Sequence, residues 1–108
     1  MANNFKNALV KDITTSAKLL YTPPAGKKSI MIELDISNTV STAITVDVYL
    51  TRSAVNYYLA KTVPIPAGST IQIIAGQKII LQDGDSVYVQ SSTLTSGDVF
   101  ASVLEDVS

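Results

Sequence analysis

The sequence predicts an all-β fold, a single-domain antiparallel β-sandwich of about eight strands, jelly-roll-like or immunoglobulin-like. Three observations predict it. Apolar and polar residues alternate in short runs, clearest in Ile30-Met31-Ile32-Glu33-Leu34-Asp35-Ile36-Ser37, and this sends successive side chains to opposite faces of a strand. Turn-forming segments such as Pro24-Ala25-Gly26, Pro66-Ala67-Gly68 and Asp83-Gly84-Asp85 separate the runs, and turn signals recur about every 8 to 12 residues, as in two-sheet sandwiches. No convincing helical stripe interrupts them.

The elements follow in order. Residues 1–7 are polar and Asn-rich and read as a terminal arm, with Phe5 and Leu9 able to anchor it against a neighbour or its own core; residues 8–108 form the sandwich domain. Asn7 to Ile13 and Ala17 to Tyr21 flank the turn Thr14-Thr15-Ser16. Thr22-Pro23-Pro24-Ala25-Gly26-Lys27 is a loop, since both prolines fix φ and lack an amide donor. The strand from Lys28 to Ser37 is the central core strand, with Ile30, Ile32, Leu34 and Ile36 on its inward face. Ile44 to Thr51 turns Ile44, Val46, Val48 and Leu50 inward and suggests a hairpin with the preceding strand. Tyr57 to Val63 is the next strand. Then come Thr70 to Ala75, a Gly76-Gln77 turn, Lys78 to Leu81, Ser86 to Ser91 and Asp98 to Leu104. The continuous apolar run Ile79-Ile80-Leu81 predicts burial on both faces.

Composition excludes most chemistry. The 108 residues hold no cysteine and no histidine, which removes disulfides, thiolate nucleophiles and cysteine zinc sites, together with the usual base near neutral pH and the commonest metal ligand. Charge is scattered and nets to -1, so no basic face for nucleic acid is expected. No run approaches the roughly 18 apolar residues of a membrane helix, and no signal-peptide core opens the chain; a soluble protein made in a cytoplasm is expected. Only 16% of residues are charged while 46% are apolar, a surplus of apolar surface that association with further subunits would cover.

Candidate catalytic and metal residues are few. Glu33, Asp35 and Asp47 can share the outer faces of neighbouring strands, where paired acids serve general acid-base chemistry or calcium; the alternating pattern equally makes them its solvated half. Asp83-Gly84-Asp85 lacks the later ligands of a calcium loop and reads as a tight hairpin turn. The glycines are spread one per turn, so no phosphate-cradling loop exists. No catalytic residue, cofactor or metal is therefore expected. For contact with another subunit or a partner the candidates are Phe5, Tyr57, Tyr58, Met31 and Ile74: consecutive tyrosines on a strand must diverge to opposite faces, and Met31 and Ile74 lie off the inward register.

The run Leu20-Tyr21-Thr22-Pro23-Pro24-Ala25-Gly26-Lys27-Lys28-Ser29-Ile30, then Asn38-Thr39, Val46-Asp47-Val48-Tyr49, Pro64-Ile65-Pro66-Ala67-Gly68-Ser69, Gly84-Asp85-Ser86-Val87-Tyr88-Val89 and Val99-Phe100-Ala101-Ser102-Val103-Leu104-Glu105, resembles small β-sandwich structural proteins of tailed bacteriophages. The resemblance implies a noncatalytic virion protein made in a bacterial host cytoplasm. It implies foremost a capsid cement or decoration protein that binds the major capsid protein and associates with its own copies, and alternatively a head-to-tail neck or tail component. A carbohydrate- or receptor-binding module would use the same sandwich, with Tyr57 and Tyr58 its nearest exposed aromatics. A small enzyme is the class least served by these residues.

Overall fold

The structure, a computed structural model, describes residues 4–105. Eight strands are present: β1 (Asn4–Ile13), β2 (Lys18–Tyr21), β3 (Ser29–Asn38), β4 (Ile44–Arg52), β5 (Val55–Ile65), β6 (Thr70–Leu81), β7 (Ser86–Ser91) and β8 (Gly97–Glu105). They form two four-stranded sheets, sheet A in the order β1-β8-β3-β6 and sheet B in the order β2-β7-β4-β5. Every observed pairing is antiparallel, and β1 pairs with β8, β2 with β7, β3 with β6 and β4 with β5. That nesting is a long hairpin rolled across two sheets, the jelly roll, which decides between the two sandwich types the sequence left open.

The rolled topology corrects two local readings. Strands β3 and β4 lie in different sheets and do not form a hairpin; β4 and β5 do. The Asp83-Gly84-Asp85 segment is a tight turn, closed by the Asp85 amide donating to the Gln82 carbonyl at 3.0 Å, but it carries the chain from β6 in sheet A to β7 in sheet B.

The core fills the space between the sheets as alternation dictates. On β4, Ile44, Val46, Val48 and Leu50 are buried, and on β7 so are Val87 and Val89. Strand β3 departs from strict alternation. Met31 pairs with Val103 and Glu33 with Ser102, so Ile32 is an extra residue without a partner on β8. Such a bulge flips the side-chain phase. Met31 is consequently buried in the core together with Leu34 and Ile36, while Ile30 faces outward and is only partly buried. Strand β6 does the same: Leu34 pairs with Ile74 and Asp35 with Gln72, leaving Ile73 extra, and Ile74 turns into the core. The predicted Gly76-Gln77 turn is a second, wider bulge within one continuous strand, with Gly76 at φ 100°. Ile80 is 61% exposed rather than buried on both faces.

Two edge strands carry the same device. In β1 the residues Lys11 and Asp12 together oppose Asp98, and Asp12 takes φ 55°. Asp98 accepts the Asp12 amide at 3.0 Å and pairs with the Lys11 ammonium at 3.0 Å. In β5, Lys61 and Thr62 oppose Asp47, and Thr62 takes φ 53°. Asp47 accepts the Thr62 amide at 2.7 Å and lies 3.5 Å from the Lys61 ammonium. Each aspartate pins a positive-φ residue that the backbone otherwise disfavours. Asp47 thus has a structural partner set, and the acid role weighed for it from sequence has no support here.

Residues 4–7 belong to β1 and pair with β8 through Asn4–Glu105, Phe5–Leu104, Lys6–Val103 and Asn7–Ser102. The predicted arm is a strand over this stretch, because β8 offers it a matching ladder; residues 1–3 lie outside the described residues.

Candidate functional site

Among the described residues no group of three or more acidic, cysteine or histidine side chains could hold a metal. The outward face of sheet A can be read row by row from its register. Phe5, Leu104, Ile30 and Ile80 stand side by side across all four strands. The next row is Asn7, Ser102, Glu33 and Ala75, and the third is Leu9, Phe100, Asp35 and Gln72. Phe5 is 77% exposed, Leu9 64% and Phe100 45%. Two apolar patches therefore flank an acidic centre on one sheet face.

The acidic centre is strained electrostatically. Burial pushes the Asp35 carboxyl up to about 6, and the neighbouring Glu33 carboxyl, through a shared hydrogen bond and like charge, pushes in the same direction. Among the described residues, Asp35 Oδ1 is the buried side-chain oxygen that lacks a hydrogen-bond partner. With both groups ionised there is no proton between them to donate; a proton on Asp35 supplies one.

The outward face of sheet B carries a different row, Leu19, Tyr88, Tyr49 and Tyr58. The Tyr49 ring lies 5.2 Å from Tyr58 and 5.7 Å from Tyr88, and the Lys61 ammonium sits 4.8 Å over the Tyr58 ring. These rings pack against one another and Tyr58 against Lys61 as cross-strand pairs, while Tyr58 keeps 47% of its surface exposed. Sequence reasoning singled out Tyr58 but missed Tyr49 and Tyr88, although Val48-Tyr49-Leu50 and Val87-Tyr88-Val89 place both tyrosines opposite buried neighbours. Tyr57 pairs with the buried Leu50 and so lies on the core side of β5, yet β5 is an edge strand and the ring stays largely exposed.

The five predicted contact residues are not brought together. Phe5 lies on the outer face of sheet A and Tyr58 on that of sheet B. Met31 and Ile74 are core residues with essentially no exposed surface, so neither presents a contact; the bulges described above are the reason. The residues sequence reasoning missed are Ile30, Ile80, Leu104 and Phe100, which become neighbours only through the strand order.

Two polar clusters tie the sheets together at the end bearing the 22–28 and 82–85 loops. Asp85, fully buried, takes a two-pronged ion pair from Arg52, Nε to Oδ1 and Nη2 to Oδ2 both at 2.7 Å, and also the Gln82 amide at 2.8 Å. The Arg52 guanidinium, helped by that amide, holds its carboxyl below the usual carboxylate range. Nearby, Tyr21 donates to Glu105 at 2.5 Å and shares a 2.7 Å hydrogen bond with Ser29, while Lys6 pairs with Glu105 at 3.2 Å. Burial and the bond to Glu105 raise the Tyr21 phenol. Both clusters satisfy buried polar groups.

No family model matches the sequence, and no curated protein does. Among solved structures the fold is similar to a chain from the Bacillus endospore appendages, described as a novel family of disulfide-linked pili. The TM-score is 0.54 with 11% identity over 100% of this chain and 93% of that one. At that identity the likeness shows a shared fold.

Proposed function

We propose that this chain is a noncatalytic virion structural protein of a tailed bacteriophage, a capsid cement or decoration protein that binds the major capsid protein. The motif resemblance supports the virion assignment. The observation that carries an assembly role is the outward face of sheet A, where the apolar row Phe5, Leu104, Ile30, Ile80 and the pair Leu9, Phe100 stand partly or largely exposed. Each large apolar side chain fully covered by a partner contributes about 1.5–3 kcal/mol, so a few such contacts repeated over a lattice hold a small domain in place. A net charge of -1 lets many copies crowd without strong repulsion. The pilus-type neighbour is named for disulfide linkage, and this chain has no cysteine; its assembly contacts include no disulfide.

The test is the number of copies per purified particle, by quantitative mass spectrometry against the major capsid protein. Parity or a simple large fraction supports cement or decoration. A number fitting a single ring moves the protein to neck or tail, and absence from particles overturns the virion reading. Ile80→Lys and Phe100→Lys, on exposed positions, are expected to keep the fold by circular dichroism and to lower incorporation at least ten-fold.

A further inference from the structure

We infer that the open edge of β1 is a self-association strand, which pairs antiparallel with β1 of a second copy about a two-fold axis through Asn7. The inference goes beyond the proposed binding to a capsid protein: it takes up the association with its own copies that the motif resemblance implies and gives it a surface and a symmetry.

The four sheet edges are β1 and β6 in sheet A and β2 and β5 in sheet B. Natural sheets blunt their edges with bulges, prolines, charges or short strands; in three of these four such devices interrupt the strand or shorten it, whereas in β1 the Lys11–Asp12 bulge lies at one end and leaves Asn4 to Val10 regular. Strand β6 is bulged at Ile73 and around Gly76. Strand β5 carries Pro64 and the Lys61–Thr62 bulge. Strand β2 has 4 residues and a register shift. Strand β1 runs from Asn4 to Val10 against β8 without a register shift and without proline. Its one charge there, Lys6, is held by Glu105 at 3.2 Å. The backbone groups on its other side are a ready ladder for another strand.

The residues of this stretch are self-complementary. Pairing centred on Asn7 sets Phe5 opposite Leu9 of the second copy and Leu9 opposite its Phe5, an aromatic-aliphatic pair of the kind that stabilises sheets. Lys6 then faces Ala8, and no like charges meet. Shifting the register by two residues one way sets Phe5 against Asn7 and brings Lys6 against Lys6 of the second copy; shifting it the other way sets Phe5 against Lys11. Only the Asn7 register matches apolar to apolar on the outer face. It also makes one continuous surface: the row Ile80, Ile30, Leu104, Phe5 runs on into Leu9 and Phe100 of the second copy, twice by symmetry. A paired segment of about 24 Å buries little area, so the dimer is expected to be weak and to dissociate on dilution.

The absence of cysteine permits a clean test by single-cysteine variants of the full chain. Across the axis, the two copies of position 7 have Cα atoms about 4.5–5.5 Å apart, inside the disulfide range of about 4.4–6.8 Å; the two copies of position 5 stand about 14 Å apart. Under mild oxidation Asn7→Cys is expected to form covalent dimer at least ten times faster than Phe5→Cys. Equal rates overturn the register, and no crosslink at Asn7→Cys overturns the contact. Sedimentation supplies an independent reading. Wild type is expected to approach twice the monomer mass as concentration rises, Phe5→Lys with Leu9→Lys to remain monomeric, and Phe5→Lys with Leu9→Glu to recover association through opposite charges. Association unchanged in the double-lysine variant, or none recovered in the lysine-glutamate variant while circular dichroism shows an intact fold, overturns the proposal. These measurements use purified protein, so their failure leaves the particle copy number untouched, and the reverse also holds.

Discussion

Asp35→Asn is expected to make this protein more stable at neutral pH and to leave it unchanged in acid. The Asp35 carboxyl is raised from an ordinary value near 3.8 to about 6 because burial and Glu33 both disfavour its charge. A group whose folded value is raised stabilises the fold fully below its unfolded value, and that contribution is lost as pH rises through the folded value. The window is therefore pH 4 to 6, and above it the native state carries the cost of a charge at Asp35. Taken at full strength the rise corresponds to about 3 kcal/mol; solvent at a partly exposed sheet face screens it, so about 1–3 kcal/mol is expected. Asparagine keeps the shape, carries no charge and can donate to Glu33 at any pH. Urea denaturation of both proteins from pH 3.5 to 8 reads the effect as a gap that opens between pH 4 and 6 and stays open. A gap of constant size across that range, or a less stable variant at pH 7, would refute the reasoning.

Other perturbations have definite expected outcomes. Asp85→Asn removes the charge that Arg52 clasps, and urea midpoints at pH 7 should fall by about 2–4 kcal/mol; because the Asp85 carboxyl is held low, the wild-type contribution is present above about pH 4 and disappears in stronger acid, where the two proteins converge. Met31→Ala should cost about 2–5 kcal/mol through the cavity it leaves, whereas Phe5→Ala should cost less than about 0.5 kcal/mol in the dilute protein; similar losses at both positions in thermal melts would contradict the phase flip in β3. Gly97→Ala places a methyl 2.6 Å from the Ser37 carbonyl oxygen and should destabilise by about 1–3 kcal/mol by calorimetry. Ser53 and Ala54, the two-residue β4–β5 turn, both have positive φ, at 53° and 64°, so replacing them with Asn-Gly should stabilise by about 1 kcal/mol, read as a higher melting temperature.

How much was legible in the sequence depends on where alternation is unbroken. Strands β4 and β7 follow it from end to end, and the inward residues read for β4, Ile44, Val46, Val48 and Leu50, are the buried ones. Strands β3 and β6 each change phase at a bulge, and no residue type announces the bulge: Ile32 and Ile73 are ordinary strand formers. Reading through them with strict period 2 turned Ile30 inward and Met31 outward, the reverse of their places. Gly76 does give a signal, but a glycine followed by the polar residues Gln77 and Lys78 has the same composition in a turn as in a bulge. The strand order was out of reach for another reason. The pairs β1–β8 and β2–β7 join residues far apart in the chain, and local sequence carries almost no information about which distant strands meet.

The candidate surface inherits this limit in a specific way. Phe5, Ile30, Ile80 and Leu104 come from four strands, and each alone is an unremarkable exposed or half-exposed apolar residue of the kind every protein carries. Only the register turns them into a row, and only the phase change in β3 puts Ile30 in it. The same bulge that removed Met31 from the list of contacts thus created the surface that replaces it. Across the sandwich the argument reverses. Tyr58, singled out in the sequence together with Tyr57, is placed by the register beside Tyr49 and under the Lys61 ammonium, so part of its ring is covered within the fold. What separates an interaction surface from a stabilising ladder here is whether neighbouring side chains cover each other. In sheet A, Asn7, Ser102, Glu33 and Ala75 are the row between the two apolar patches, too short or too acidic to cover them, and the patches stay open.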